Sequence, residues 1–280
     1  MRIHDRVIVI SSMHPLRQHT IPLLERGKVY YTVVVHNREQ AKEAEKRVHT
    51  YGEVVVSNAK SLVGQRNFVL KSIVEHDEWF ICADDNIQEF TAVNEPLIRE
   101  ERLPVDGPPP KGFKTWREAY RGEISPRDWL SLLRADVKKA EKIGAPLVGV
   151  ATMENPFFRA KKYSNYRFVK TKIFAMKNAT WLNFKHEMCH DSFISAQAIA
   201  RYGKVLVNSF LHHKSKMYEQ GGLGNRAERD AKGLLVQLDE IVSEFPGLVQ
   251  VGRGENTALR FCLTNENSVE RWRREKGYIE

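Results

Sequence analysis

The first third of the chain alternates short apolar runs with helical patterns, and this alternation limits the fold more than any other feature. Residues 7–10, 30–35, 54–56 and 78–83 are β-branched or aromatic runs, each bounded by polar or turn-forming residues. Between them, residues 20–26 read as a helix stopped at Gly27, residues 39–48 as a charged helix, and residues 65–76 as a third helix fed by the loop 57–64. Strands separated by helices pair in parallel, with helices on both faces of the sheet. The order therefore predicts an α/β fold with a mixed, largely parallel, Rossmann-like sheet. Ligands of such sheets bind beyond the carboxyl ends of the strands. Ser11-Ser12, His36-Asn37, Ser57-Asn58 and Asp84-Asp85-Asn86 all fall there.

Farther along, Pro104, Gly107 and Pro108-Pro109-Pro110 exclude regular structure and mark a linker or surface loop. Ser125-Pro126 opens a helix reaching residue 143, residues 147–152 read as a strand, and residues 168–176 as a strand or hairpin. A helix over 192–202 ends at Gly203; a strand over 205–207, a helix over 234–242 and a hairpin around 252–263 follow. At 280 residues the chain suffices for one large domain whose core needs no covalent staples. Cys82, Cys189 and Cys262 lack C-x-x-C spacing and read as reduced thiols. No run approaches the ~18 apolar residues of a membrane span, and the first residues show no export signal, so a cytoplasmic protein away from membranes is expected. The net charge of +9 favours a polyanionic partner, because neutralising phosphates releases counterions.

Asp84-Asp85-Asn86 is the sharpest chemical signal. Two carboxylates at the exit of an apolar strand raise each other's pKa unless a cation neutralises them, and a hard divalent ion such as Mg2+ or Mn2+ shared with substrate phosphates does so. An ordinary acidic turn is the alternative. The stretch from Asn58 through Gly64-Gln65-Arg66-Asn67 to Asp84-Asp85-Asn86 resembles the donor half of GT-A glycosyltransferases, with a glycine-plus-arginine loop followed by an apolar strand ending in a D-x-D type motif. Asp84-Asp85-Asn86-Ile87 is especially similar to the TET/JBP-associated glycosyltransferases of phages and kinetoplastids, which glycosylate hydroxymethylated pyrimidines in DNA. Asn86 departs from that pattern where a third carboxylate often stands.

The resemblance implies a nucleotide-sugar site, for a UDP-hexose, formed by Ser11, Asn37, Asn58, Gly64, Arg66 and Asp84, with the metal on Asp84 and Asp85. His190-Asp191-Ser192, ahead of a helix, a glycine and a strand, resembles the acidic motif carrying the catalytic base of inverting GT-A enzymes, which assigns that role to Asp191; a plain helix cap is the other reading. His212-His213 and the loop Gly221-Gly222-Leu223-Gly224 resemble the family's C-terminal metal histidine and diphosphate loop, with His212 favoured as ligand and Gly221 and Gly222 at the diphosphate; a solvated histidine pair is the alternative. The domain would then divide into a donor half over 1–100, an acceptor half over 101–225 and a helix and hairpin extension over 226–280. The expected activity is sugar transfer onto a hydroxymethylpyrimidine in DNA, in the host cytoplasm if the chain is phage-encoded. A glycosyltransferase acting on a glycan or protein, and a DNA-binding module without catalysis, are the alternatives.

One rival motif stands apart. His186-Glu187-Met188-Cys189-His190 matches H-E-x-x-H, in which two histidines one helical turn apart hold zinc for proteolysis. It requires a continuous helix, whereas Asp191-Ser192 reads as a helix start. Residues 159–170 interleave cations with Tyr163, Tyr166 and Phe168, a pattern suited to phosphate contacts and base stacking, or to a lysine-protected strand edge.

Overall fold

In β1 (Ile3–Ile10), Val7 and Val9 pack into one hydrophobic cluster while Ile8 and Ile10 pack into another. The same division runs through β4 (Trp79–Asp84), where Trp79, Ile81 and Ala83 face one cluster and Phe80 and Cys82 the other. Successive strand side chains point to opposite faces. A strand apolar at every position is thus one whose sheet is covered on both sides. The computed structural model describes residues 1–14, 18–93, 121–150, 162–215, 233–252 and 259–279.

The remaining strands of the first unit are β2 (Tyr31–Val35) and β3 (Gly52–Val56), joined through α1 (Thr20–Arg26), α2 (Arg38–Glu45) and α3 (Leu62–Ser72). β3, β2, β1 and β4 lie side by side in that order, all parallel. β5 (Ile87–Val93) and β6 (Arg121–Glu123) leave the main sheet. α4 (Pro126–Ile143) then leads to β7 (Leu147–Val150), and β8 (Tyr163–Ser164) and β9 (Ile173–Lys177) follow. β9 runs antiparallel between β4 and β7. After α5 (His190–Tyr202), β10 (Leu206–Asn208) pairs in parallel with β7, and β8 closes the edge. The eight-stranded sheet is thus mixed and mostly parallel, with four parallel pairings among seven.

A second, antiparallel sheet joins β11 (Leu211–Ser215) to β5 and β6. The C-terminal part holds α6 (Leu234–Glu244), the hairpin of β12 (Val249–Val251) with β13 (Leu259–Phe261), and α7 (Glu266–Glu275). No helix among the described residues is long and apolar enough to cross a membrane.

The main departures from the sequence reading concern starts and exits. α3 begins three residues earlier than predicted because Ser61 caps it, its Oγ accepting from the Gly64 N–H at 3.1 Å. Gly64 is therefore helical rather than part of the loop, while Arg66 is helical as expected. β5, β6 and β11 were not predicted; His212 and His213 lie on β11, paired with Thr91 and Phe90. The proline-rich segment falls outside the described residues.

Gly149 of β7 shows how closely the layers meet, since a Cβ there would lie 2.5 Å from Val169 Cγ1. Gly149→Ala should destabilise by ~1–3 kcal/mol through overpacking, measured by urea unfolding, with part of the loss recovered when Val169→Ala is added. An unchanged unfolding midpoint in the single variant would contradict this packing.

Candidate active site

Strand order reverses at β1, which has β2 on one side and β4 on the other. The crevice outside such a reversal is where open α/β sheets bind ligands. Asp84 sits there as the last residue of β4, in register with Ile10. Its Oδ1 accepts from Arg66 Nη2 at 2.8 Å and its Oδ2 lies 3.1 Å from Lys172 Nζ. Burial pushes this carboxyl up, but Lys172 and Arg66 outweigh burial and hold it below the ordinary carboxylate range. Asp84 is therefore ionised at neutral pH.

Asp85 is used differently. Its Oδ2 accepts from Ser11 Oγ at 3.0 Å, the Ser12 N–H at 3.1 Å and Gln18 Nε2 at 3.3 Å. Its backbone carbonyl accepts from the His19 and Thr20 N–H groups. The residue fastens the segment after β1 to the end of β4. Asp85, expected at the metal, and Ser11, expected at the donor, are both buried and engaged with each other.

Arg66, also expected at the donor, lies behind Asp84 with 1% exposure. Nη1 donates to Thr171 Oγ1 at 2.8 Å and Nη2 to the Thr171 carbonyl at 2.7 Å, while the Phe174 and Phe184 rings flank the guanidinium at 5.6 and 5.4 Å. It orients Asp84 and does not reach the crevice. Of the other expected donor residues, Asn37 caps α2 by accepting from the Gln40 N–H, and Asn58 takes a left-handed conformation (φ 55°) just past β3. Gly64 allows a close approach, since a Cβ would lie 3.0 Å from that of Ala59. Gly221 and Gly222 lie outside the described residues.

Asp191 stands in the first turn of α5, whose N-cap is Cys189, so it is not the cap itself. Oδ2 lies 3.0 Å from Lys170 Nζ and Oδ1 accepts from the Ser192 N–H at 2.8 Å. Burial pushes the carboxyl up; Lys170, His190 and the Ser192 N–H bring it below the usual range. The neighbouring His190 is buried and donates from Nδ1 to the Glu187 carbonyl at 2.9 Å. Burial and the Arg66 charge push it down to about 4, against the opposite pull of Asp191 and Asp84. Both nominated carboxylates thus act on one imidazole.

From β11, His213 is the histidine whose surroundings include Lys172 and Asp84; burial and Lys172 push it down to about 4, and its Nδ1 has no hydrogen-bond partner. Strand alternation turns His212, favoured from sequence, to the opposite face. Sequence reading missed Lys172 and Thr171, and of the pair His212-His213 it favoured the other histidine. A polar residue two positions from another on a strand approach was the available signal in Lys170-Thr171-Lys172.

The H-E-x-x-H stretch does not form a helix. His186 has φ 63°, residues 187–189 form a turn, and α5 starts only at His190. His186 Nδ1 faces Glu240 at 3.2 Å while His190 faces the Glu187 carbonyl, so the two rings do not share one helix face. In the basic run, Tyr163 donates its hydroxyl to Asp136 at 2.9 Å, Phe168 stacks on Phe261 at 4.1 Å, and Tyr166 packs against the core. Residues 159–161 lie outside the described residues. A cleft of about 720 Å³ opens at the other end of α3, lined by residues such as Leu70, Glu75 and Asn183. Its buried amide, Asn178, is engaged with the Leu70 and Val74 carbonyls. Its titratable lining residues, Lys71, Glu75 and His76, are exposed, with Glu75 paired to Arg2 and His76 to Asp77, whereas the buried carboxylates and histidines gather at the strand exits.

Among the described residues no three His, Cys, Asp or Glu side chains come together as a ready metal cage. Asp84 alone suits a hard divalent ion completed by phosphate oxygens and water, the usual situation for Mg2+, and the Nδ1 of His213, which has no hydrogen-bond partner, would add a softer nitrogen donor. Asp85 does not fit that set. The chain matches no family model and no curated protein sequence.

Two outcomes follow from these contacts. Arg66→Met leaves Asp84 without its buried partner and should cost ~3–5 kcal/mol in urea unfolding; Arg66→Lys should recover little, because one ammonium cannot reproduce the fork to Thr171 and Asp84. His190 and His213 titrate near 4 when folded and near 6.5 otherwise. As pH falls, the unfolded chain takes up protons first, so their contribution is full above about 6.5 and lost toward about 4. Unfolding free energy at pH 5 should lie about 2–4 kcal/mol below that at pH 7, and His213→Gln should remove about half of the difference.

Proposed function

We propose that this chain is a GT-A-like glycosyltransferase that moves a sugar from a nucleoside-diphosphate donor, a UDP-hexose, onto the hydroxymethyl group of a modified pyrimidine in DNA. The observation that carries the reading is that one short segment, residues 170–172, holds two carboxylates: Asp84 at the exit of β4 beside the strand-order reversal, through Lys172, and Asp191 at the head of α5, through Lys170. The donor lies along the exits of β1 to β4, with its diphosphate toward Asp84.

Asp191 accepts the proton of the acceptor hydroxyl as that oxygen attacks the anomeric carbon, and the bond from that carbon to the diphosphate oxygen breaks. Its depressed pKa keeps it in the base form throughout the neutral range. Arg66 keeps Asp84 in place and ionised. Mg2+ or Mn2+, held by Asp84 and His213, would supply charge neutralisation for the departing diphosphate. The net charge of +9 supports the polyanionic acceptor.

A second reading, transfer to a glycan or protein, is favoured by one observation: Tyr163, Tyr166 and Phe168 are half-buried and engaged with Asp136, the core and Phe261, which reduces the surface they offer to an extruded base.

The deciding experiment incubates the protein with a panel of nucleotide sugars, Mn2+ and hydroxymethylated duplex DNA, followed by nucleoside mass analysis. A hexose should be added, and Asp191→Asn should lower the rate ~10²–10⁴-fold while UDP still binds. Duplex affinity should fall steeply between low and physiological salt. Transfer to oligosaccharide alone moves the assignment to the second reading, and a protein that binds neither UDP nor Mn2+ overturns both.

A further inference from the structure

The two cations on Asp84 are not equivalent. Arg66 is 1% exposed and locked by Thr171, Phe174 and Phe184, so it cannot leave without dismantling its surroundings. Lys172 has a side chain 28% exposed, and its other contact is a long one, 3.5 Å to Asn86 Oδ1. Its backbone is fixed where its side chain is not, because the Lys172 carbonyl accepts from the Asp84 N–H at 2.7 Å. An ammonium on a flexible four-carbon stem can change partner while its Cα stays still.

Charge counting gives the direction of that exchange. Arg66 alone balances Asp84, so Lys172 is the surplus cation there. A divalent ion held by Asp84 would compete with the Lys172 ammonium for the same carboxylate, because like charges so close repel. An incoming diphosphate offers the displaced ammonium a more highly charged acceptor a few ångströms away.

We propose that Lys172 is a diphosphate-binding residue that guards Asp84 in the ligand-free protein and transfers to a phosphate oxygen of the nucleoside diphosphate when the divalent ion takes its place. The inference rests on the reading of Asp84 as the metal and diphosphate site. It gives the segment Lys170-Thr171-Lys172 a shared design, in which Thr171 anchors Arg66 while the flanking lysines hold Asp191 and Asp84.

The test measures Mn2+ affinity by the paramagnetic resonance of free Mn2+, and UDP affinity by calorimetry in saturating Mn2+, on the full chain and its variants. Lys172→Met should bind Mn2+ alone up to about fivefold more tightly, the size of a partly exposed ion pair removed. The same variant should bind UDP about 10- to 100-fold more weakly, the loss of one charge-assisted hydrogen bond. Lys172→Gln provides a second uncharged side chain should the methionine variant fail to fold, and Lys172→Arg should retain most UDP affinity. Asp84→Asn separates the two levels of the reading. If the natural protein binds Mn2+ and UDP, Asp84→Asn loses both, and the uncharged Lys172 variants bind UDP as the natural protein does, the role of Lys172 is overturned while the site stands. If the natural protein binds neither ligand, the site reading fails and Lys172 with it.

Discussion

The pairing of one buried guanidinium governs the arrangement of this protein's strand exits. Arg66 carries a full charge at 1% exposure, and a charge so placed is tolerable only when its hydrogen bonds are met on several sides at once. Its two terminal nitrogens meet them, with Asp84 at the end of β4 and with both the hydroxyl and the carbonyl of Thr171, just ahead of β9, while Nε stays unpartnered. A helix, a parallel strand and an antiparallel strand are thereby tied at one point. Such a pair contributes less to net stability than to uniqueness of arrangement, because its desolvation offsets most of its attraction. The result is a carboxylate presented at a fixed place, still ionised, at the edge of the crevice.

From that point the rest of the site follows. Thr171 cannot move, so Lys170 and Lys172 on either side of it are carried to Asp191 and Asp84. His190 lies under the influence of Arg66 and of both carboxylates, and remains a neutral imidazole through the physiological range. Adjacent aspartates acquire opposite duties through the same geometry. Asp84 ends the strand and faces two cations, whereas Asp85 turns back to hold Ser11, Ser12 and Gln18. The acidic pair is therefore one carboxylate paired with two cations and one fastener.

Much of the parallel unit was legible because its signals are local. The runs at residues 7–10 and 78–83 are apolar at nearly every position, which only a doubly covered strand requires, and the polar residues that close them lie at the strand exits. The second sheet was not legible. β11 reads Leu-His-His-Lys-Ser, with little apolar content, and it exists because β5 offers it a partner more than 100 residues earlier in the chain. The start of α5 decided the fate of H-E-x-x-H in a similar way: the spacing of two histidines is visible in sequence, but whether they share a helix depends on where that helix begins. Aromatic residues in the basic run could be read as stacking platforms only while their inward partners, Asp136 and Phe261, were unknown.

The sequence by itself determined the α/β class, the parallel direction of the first four strands and the gathering of polar residues at their exits, because period-two burial and capping act over a few neighbouring residues; their order in the sheet came from the tertiary structure. Tertiary structure alone decided which aspartate meets Arg66 and Lys172, which one turns back to hold Ser11 and Ser12, and which histidine of the pair on β11 lies within the influence of Lys172 and Asp84. Those choices depend on the direction of single side chains and on partners tens to more than a hundred residues away, and no local pattern records a contact of that range.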